Sequence, residues 1–248
     1  MSALTPYLAL AIFPVATILA SFSNVVELSW GFHHGLAPKP KEVRDKSDAI
    51  TRYANFLRYA LLLCFVALLA KRNSIPAVSL GLHLHSWTRN VALGLTAAGI
   101  FLVFQTLVSN SLRYDNQFTR EVRRGAIRLW VSIFFVGAFS EELWIAFCLV
   151  MLIAAGYSTS ISIVLVTVVF VAMHSQYYIH PDQPSWAFRL GAVLGIALKS
   201  FVSALLFLWT RSVLPPFTFH LFVNLGALSW ARGAPLDNGE VSPKPDAV

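Results

Sequence analysis

The chain has 248 residues, of which 56% are apolar and only 12% carry a charge. Soluble domains carry about 25% charged residues, so this chain has too few to cover a water-facing surface of its size. The composition excludes a disordered chain, a coiled coil and an ordinary soluble enzyme. Apolar runs of about 18 or more residues recur along the chain, and such runs are typical of transmembrane helices. We expect an all-α fold, a polytopic transmembrane helical bundle with about seven to eight spans.

The net charge of +7 points to a membrane surface rather than to nucleic acid. No soluble domain carries the basic stripe that nucleic-acid binding needs, so we expect no nucleic-acid partner. In a membrane protein, an excess of lysine and arginine is typical of cytoplasmic loops near anionic membrane lipid. The two cysteines, Cys64 and Cys148, both lie in apolar runs and indicate no disulfide.

Seven apolar segments follow one another along the chain. No lysine or arginine precedes the first, so it lacks the basic start of a cleaved signal peptide and is expected to remain as a span. Pro38 and Pro40 break any helix in the polar segment after it. The predicted spans are residues 7–30, 53–70, 91–108, 127–155, 159–174, 190–210 and 214–230.

The segments between and after the spans complete the domain organisation. The connection 71–90 is mixed, and its stretch 75–84 is expected either to lie in the membrane interface or to enter the membrane as an additional segment. Residues 1–230 contain no internal repeat and no sign of a second domain, so they are predicted to form a single transmembrane domain. The tail 231–248 is rich in glycine and proline and is predicted to be disordered.

The distribution of lysine and arginine among the loops predicts the orientation. Most of the basic residues outside the spans fall on one side if the N-terminus is outside, which favours a cytoplasmic C-terminus and a multi-pass integral membrane protein. An additional spanning segment at 75–84 would move the N-terminus inside and leave the later spans as placed. Two basic residues, Arg58 and Lys199, lie within spans.

Acidic residues inside the apolar runs are the most informative feature. Glu27 lies near a span end, where it is expected to be interfacial, whereas Glu141 and Glu142 are adjacent near the middle of the fourth span. A carboxylate at the centre of a membrane helix costs about 2.5–3.5 kcal/mol, so one of the two is expected to be protonated or paired. A buried carboxyl of this kind suits a general base. A structural pair bonded to neighbouring helices is the alternative.

Two further helices carry polar groups at membrane depth. His174 ends the fifth span in a Phe-x-x-x-His sequence, and His220 and Asn224 share one face of the seventh span at i,i+4 spacing. A lone histidine in a membrane is more often a core residue than a catalyst. Three helices that each present imidazole or carboxylate predict a small wet cavity, where glutamate and histidine deprotonate a water and histidine and asparagine donate to an oxyanion.

This combination of motifs resembles the CAAX protease and bacteriocin-processing family of intramembrane endopeptidases, also called abortive-infection-type proteins. The resemblance covers roughly residues 127–230, the motif-bearing core. It implies that Glu141 and His174 hold and activate the attacking water and that Glu142 supports them electrostatically. It further implies that His220 and Asn224 stabilise the tetrahedral oxyanion.

The family also suggests classes of substrate. Members of the CAAX type remove the last three residues after a prenylated cysteine, and bacterial members are often assigned to bacteriocin self-immunity or to peptide processing. The resemblance therefore implies a peptide or prenylated-protein substrate, hydrolysed in the membrane.

The donor set also allows a metal. Glutamate and histidine are zinc ligands, which makes Glu141, His174 and His220 possible metal ligands if the protein is a metalloenzyme. The chain has no His-Glu-x-x-His motif, and we expect no obligatory metal, with a divalent ion such as zinc as the alternative.

One position departs from the family pattern and keeps other functions open. The first family motif usually reads Glu-Glu-x-x-x-Arg, and this chain has Ala146 in place of the arginine. That departure favours a non-catalytic immunity or scaffold protein of the same family as an alternative. A transporter or haem-binding membrane protein is a third possibility, with His33-His34 and His83-x-His85 as candidate ligands, although these histidines are expected to be interfacial.

Overall fold

The computed structural model describes residues 5–20, 41–110, 127–174 and 186–233. In these segments the chain is helical and contains no strand, which confirms the predicted all-α class. A short 3₁₀ helix, Ala77–Leu80, lies between the second and third α-helices. The α-helices are α1 (Thr5–Ala20), α2 (Lys41–Arg72), α3 (Trp87–Asn110), α4 (Ile127–Ala154), α5 (Thr159–Met173), α6 (Trp186–Thr210) and α7 (Leu214–Gly233).

Several boundaries differ from those predicted. Helix α2 begins directly after Pro40, twelve residues before the predicted span, because the polar stretch that follows this proline continues the same helix. The stretch 75–84 forms only the four-residue 3₁₀ helix, which is too short to cross a membrane. Residues 21–30 of the first predicted span, with Glu27, and residues 234–248 of the predicted tail lie outside the described residues.

Three of the described helices are long and apolar enough to cross a membrane. They contain the stretches Trp87–Leu107, Phe134–Ala154 and Arg189–Thr210, and two shorter apolar helices cover Pro6–Ala16 and Thr159–Met173. These helices agree with the predicted transmembrane bundle. The total of seven to eight spans stays a prediction.

Helix α4 occupies the centre of the bundle. In its apolar window 78% of the residues are buried, compared with 17% for α3 and 28% for α6. It packs against α1, α2, α5, α6 and α7. A helix that is apolar on all sides is expected to be surrounded by protein, and this position allows α4 to present side chains to several neighbours at once.

Short turns bring the polar residues of successive helices to the same depth. The turn after α4 uses Gly156 at φ 93° and Ser158, whose side chain accepts a hydrogen bond from the Ile161 amide and so caps α5. Glu141 lies thirteen residues before the end of α4, about 20 Å along the axis, and α5 returns over 15 residues, about 22 Å. His174, which follows α5, is therefore level with Glu141.

Close helix contacts hold this arrangement. The indole N–H of Trp144 donates to the carbonyl of Ala9 at 3.0 Å, which joins α4 to α1. Helix α3 approaches α7 so closely that a Cβ added at Gly94 would lie 2.5 Å from the carbonyl oxygen of Pro215. Only glycine, which has no side chain, permits this approach.

Candidate active site

Four of the five predicted site residues come together in the interior of the bundle. Glu141 and Glu142 on α4 are 3% and 1% exposed, and His174 after α5 and His220 on α7 are buried beside them. Successive residues of an α-helix point about 100° apart, so the two carboxylates face different neighbours. Glu142 pairs with His220, whereas Glu141 lies near both His174 and His220.

Glu142 is bound by α6 and α7. Its Oε1 lies 2.6 Å from Nδ1 of His220, and the Ser203 hydroxyl donates to the same oxygen at 2.9 Å. Its Oε2 is buried and makes no hydrogen bond within the described segments. A buried carboxylate oxygen without a partner is costly.

Glu141 faces His174. The Nδ1 atom of His174 lies 2.7 Å from the carbonyl oxygen of Phe170. Because a carbonyl oxygen only accepts, Nδ1 carries the proton, and in the neutral ring Nε2 carries a lone pair. That Nε2 is 3.7 Å from Oε2 of Glu141, and Nε2 of His220 is 3.6 Å from the same oxygen. One carboxylate oxygen thus lies between two imidazoles.

Two cations outside the three motifs act on these groups. The Lys199 ammonium on α6 is 2.8 Å from Nε2 of His220. The charges of Lys199 and of Arg58 on α2 both act on the Glu141 carboxyl. The signal was present in the sequence, because a basic residue inside an apolar span needs a partner as much as an acidic one does.

Tyr59 links α2 to the same carboxylate. Its hydroxyl accepts from the Arg58 guanidinium at 2.6 Å, and its side chain hydrogen bonds to Glu141. The ring packs directly on Gly137, one helical turn before Glu141 on α4. No sequence motif identifies Tyr59, because its role depends on how closely α2 and α4 approach.

Asn224 and Ala146 lie apart from the cluster of four. Asn224 is partly buried on α7, one turn beyond His220, and no hydrogen bond joins it to the other predicted residues in the described part of the chain. Ala146 is fully buried in the main apolar core. The position of the family arginine is therefore filled by close-packed apolar structure.

The residues do not fit a three-ligand metal site as they stand. In the described segments no three side chains among His, Cys, Asp and Glu are arranged to hold a metal ion. The reason lies at His220, whose Nδ1 pairs with Glu142 and whose Nε2 faces the Lys199 ammonium.

The histidines considered as alternative metal or haem ligands lie elsewhere. The Nε2 atom of His83, outside the cluster, is 2.9 Å from the carbonyl oxygen of Arg211. The pair at positions 33 and 34 lies outside the described residues.

Comparison with known families agrees with the motifs. Residues 123–226 match the family model described as type II CAAX prenyl endopeptidase Rce1-like. The matched segment contains all five predicted site residues, and the family predicted from the three motifs is thereby confirmed. No curated protein and no solved structure gives a significant match to the chain. The candidate membrane spans indicate an integral membrane protein, and its segment 123–226 is similar to a family of proteases.

Proposed function

We propose that the protein is an intramembrane endopeptidase in which Glu141 and His174 activate the attacking water. The observation that carries this proposal is the 3.7 Å separation of Glu141 Oε2 from His174 Nε2, both of them buried. A single water can lie about 2.8 Å from both atoms at once. It would donate one hydrogen to the carboxylate and the other to the imidazole lone pair, which leaves an oxygen lone pair to attack a peptide carbonyl.

The proton balance of this reaction closes within the site. As the water oxygen bonds to the carbonyl carbon, Glu141 takes its proton and the carbonyl oxygen becomes an oxyanion. When the C–N bond breaks, the proton passes from Glu141 to the leaving nitrogen, which gives a free amine and a carboxylic acid that keeps the second proton of the water. His174 orients the water and, through the hydrogen bond that it accepts, shares the positive charge that develops on the water as it attacks.

The family resemblance assigns the oxyanion to His220 and Asn224. Both ring nitrogens of His220 are occupied by Glu142 and Lys199. We therefore assign the oxyanion donor to Asn224 and electrostatic support to Glu142 and His220.

The proposed substrate is a membrane-associated peptide, with a prenylated C-terminus of the CAAX type as the first candidate. The family description supports this class. The burial of the site among apolar helices supports it as well, because a prenyl chain dissolved in the bilayer can reach such a site from the side. We therefore expect membrane lipid to surround both the protein and its substrate. We propose that no metal is obligatory, in view of the occupied nitrogens of His220.

A cleavage assay in lipid nanodiscs tests the proposal. The purified protein is given a prenylated peptide and the same peptide without the lipid, each with and without a zinc chelator. We expect hydrolysis of the prenylated peptide, unchanged by the chelator. Glu141→Gln and His174→Ala should each lower kcat by about 10²–10⁴-fold, the contribution typical of general acid–base groups.

A histidine outside the site provides the matched control. His85 is exposed in the connection between α2 and α3, so His85→Ala should keep full activity. Wild-type activity in a folded Glu141→Gln variant would refute the water site. Loss of activity with chelator, restored by zinc, would refute the metal-free mechanism.

A non-catalytic membrane protein of the same family is the second candidate, and the buried Ala146 favours it. Under this alternative the folded protein hydrolyses no peptide in the assay above. It would still bind a membrane partner, and Glu141→Gln would leave that binding unchanged. The two candidates are therefore separated by turnover of the wild-type protein.

A further inference from the structure

We infer that Lys199 is a positioning residue of this site, which balances part of the charge of the two buried carboxylates and holds the His220 ring away from Glu141. The effect on catalysis rests on the proposed function. The effect on His220 does not, and can be measured without a substrate.

The charge of the site requires a cation from outside α4. Glu141 and Glu142 are adjacent and almost completely buried, and a like-charged pair at membrane depth must be paired or neutralised. Ala146 provides no charge on the same helix. The ammonium of Lys199 on α6 acts electrostatically on both carboxylates.

The hydrogen bonds assign the protons of His220. An ammonium group has three donors and no acceptor, so Lys199 Nζ donates to Nε2 of His220 across the 2.8 Å contact. The neutral ring then carries its proton on Nδ1, which donates to Glu142 Oε1 at 2.6 Å. A chain of hydrogen bonds therefore runs from α6 through α7 to α4.

A second contact from the same helix face strengthens this arrangement. Ser203 lies four residues after Lys199, so the two side chains share one face of α6. Ser203 donates directly to Glu142 Oε1 at 2.9 Å, the same oxygen that His220 contacts. Helix α6 thus holds Glu142 twice, once through a hydroxyl and once through the lysine and the imidazole.

An aromatic ring next to the proposed water site also holds the Lys199 ammonium. Lys199 Nζ lies 5.4 Å from the centre of the Phe170 ring, within the range of a cation–π interaction. The Phe170 ring packs on His174 with centroids 4.3 Å apart. Lys199 therefore contacts His220 directly and also the aromatic ring that packs against His174.

The consequence for the reaction follows from the distances around His220. Its Nε2 lies 3.6 Å from Glu141 Oε2, the oxygen assigned to the water. If Lys199 is removed, Nε2 can take a proton and turn towards that oxygen. His220 would then compete with the water for the base, and the turnover step would slow while substrate binding would change little.

Charge-removing and charge-keeping variants test this role in turnover. Lys199→Met should lower kcat by about 10–100-fold, as expected for a group that orients a catalytic residue, with KM within about twofold of the wild type. Lys199→Arg, which keeps the charge and the donors, should recover most of the loss. Lys71→Met, at the exposed end of α2, is the matched control and should leave kcat unchanged.

A measurement of the His220 tautomer keeps the inference testable without any enzymatic activity. In ¹⁵N-histidine-labelled protein, with His220 assigned by comparison with His220→Gln, the ring should be neutral with Nδ1 protonated and Nε2 unprotonated. In a folded Lys199→Met variant, Nε2 should become protonated.

The two measurements separate failure of this inference from failure of the proposed function. A wild-type protein that cleaves no peptide would refute the peptidase and leave the tautomer to decide on Lys199. A wild-type His220 protonated on Nε2 would overturn the role of Lys199, even in an active enzyme. Wild-type kcat in a folded Lys199→Met variant, or equal losses in the Met and Arg variants, would overturn it as well.

Discussion

Gly137→Ala tests the approach of α2 to α4 that brings Tyr59 to Glu141. A Cβ at this position would lie 2.8 Å from Cζ and 2.9 Å from Oη of Tyr59, whereas ordinary contacts begin at 3.4 Å. Tyr59 is 7% exposed and its hydroxyl is bonded to Arg58 at 2.6 Å, so the ring has little freedom to retreat. Overpacking of this kind costs about 1–3 kcal/mol.

Gly99, which has open space around its Cα, provides the control against which the cost of Gly137→Ala can be measured. Apart from its chain neighbours and the backbone of its own helix, no atom of the described chain lies within 4 Å of a Cβ added at Gly99 on α3, so Gly99→Ala should be neutral or stabilise the helix by up to about 1 kcal/mol. Unfolding of both variants by denaturant in detergent should show Gly137→Ala to be the less stable by roughly 1–4 kcal/mol. Its kcat should also fall, because Tyr59 hydrogen bonds to Glu141.

A double variant identifies the cause of the destabilisation. Tyr59→Leu removes the distal ring atoms and the hydroxyl that crowd position 137, so the double variant Gly137→Ala with Tyr59→Leu should lose less stability than the sum of the two single variants. Equal stability of Gly137→Ala and Gly99→Ala, or strict additivity in the double variant, would refute the close contact between α2 and α4.

Two further predictions concern other contacts of the bundle. Gly94→Ala should destabilise the protein by at least about 1–3 kcal/mol. The new Cβ would meet the Pro215 carbonyl oxygen at 2.5 Å, and a backbone atom cannot turn aside as a side chain can. A Gly94→Ala variant as stable as the wild type would contradict the close approach of α3 to α7. The Tyr157 hydroxyl donates to the Tyr7 hydroxyl across 2.6 Å, and this hydrogen bond raises the pKa of Tyr157 because it holds the Tyr157 proton. The stabilisation from this contact is therefore present below the ordinary tyrosine pKa and is lost as pH rises through the raised one. Tyr7→Phe should move the ultraviolet titration of Tyr157 to lower pH and remove this pH dependence, and an unchanged titration curve would exclude the contact.

The sequence predicted the acidic pair and the histidines for a local reason. A charge in an apolar run is visible without any knowledge of the fold, because the bilayer penalises it wherever the helix lies. The same rule applies to Arg58 and Lys199, which the sequence places inside predicted spans. Their proximity to the carboxylates could not be predicted, because it depends on helices separated by tens of residues.

The pairing of groups also differs from what the motifs suggest. The motif order implies that His220 and Asn224 act together, since they share a face of α7. In the folded protein His220 lies between Glu142 and Lys199, and Asn224 lies one turn away, without a hydrogen bond to the other predicted residues in the described part of the chain. Helical spacing determines which side chains share a face, but the neighbouring helix determines what that face meets.

The sequence by itself determined the class of the protein, the course of its helices and the family of its core, because composition, apolar run length and short motifs are local properties. Helices α4, α5 and α7 begin where the apolar runs and turn residues predicted. Only the tertiary structure decided which histidine meets which carboxylate and which cation balances them. Those contacts arise where α2, α4, α6 and α7 cross, and the directions of side chains at a crossing depend on the packing of distant segments.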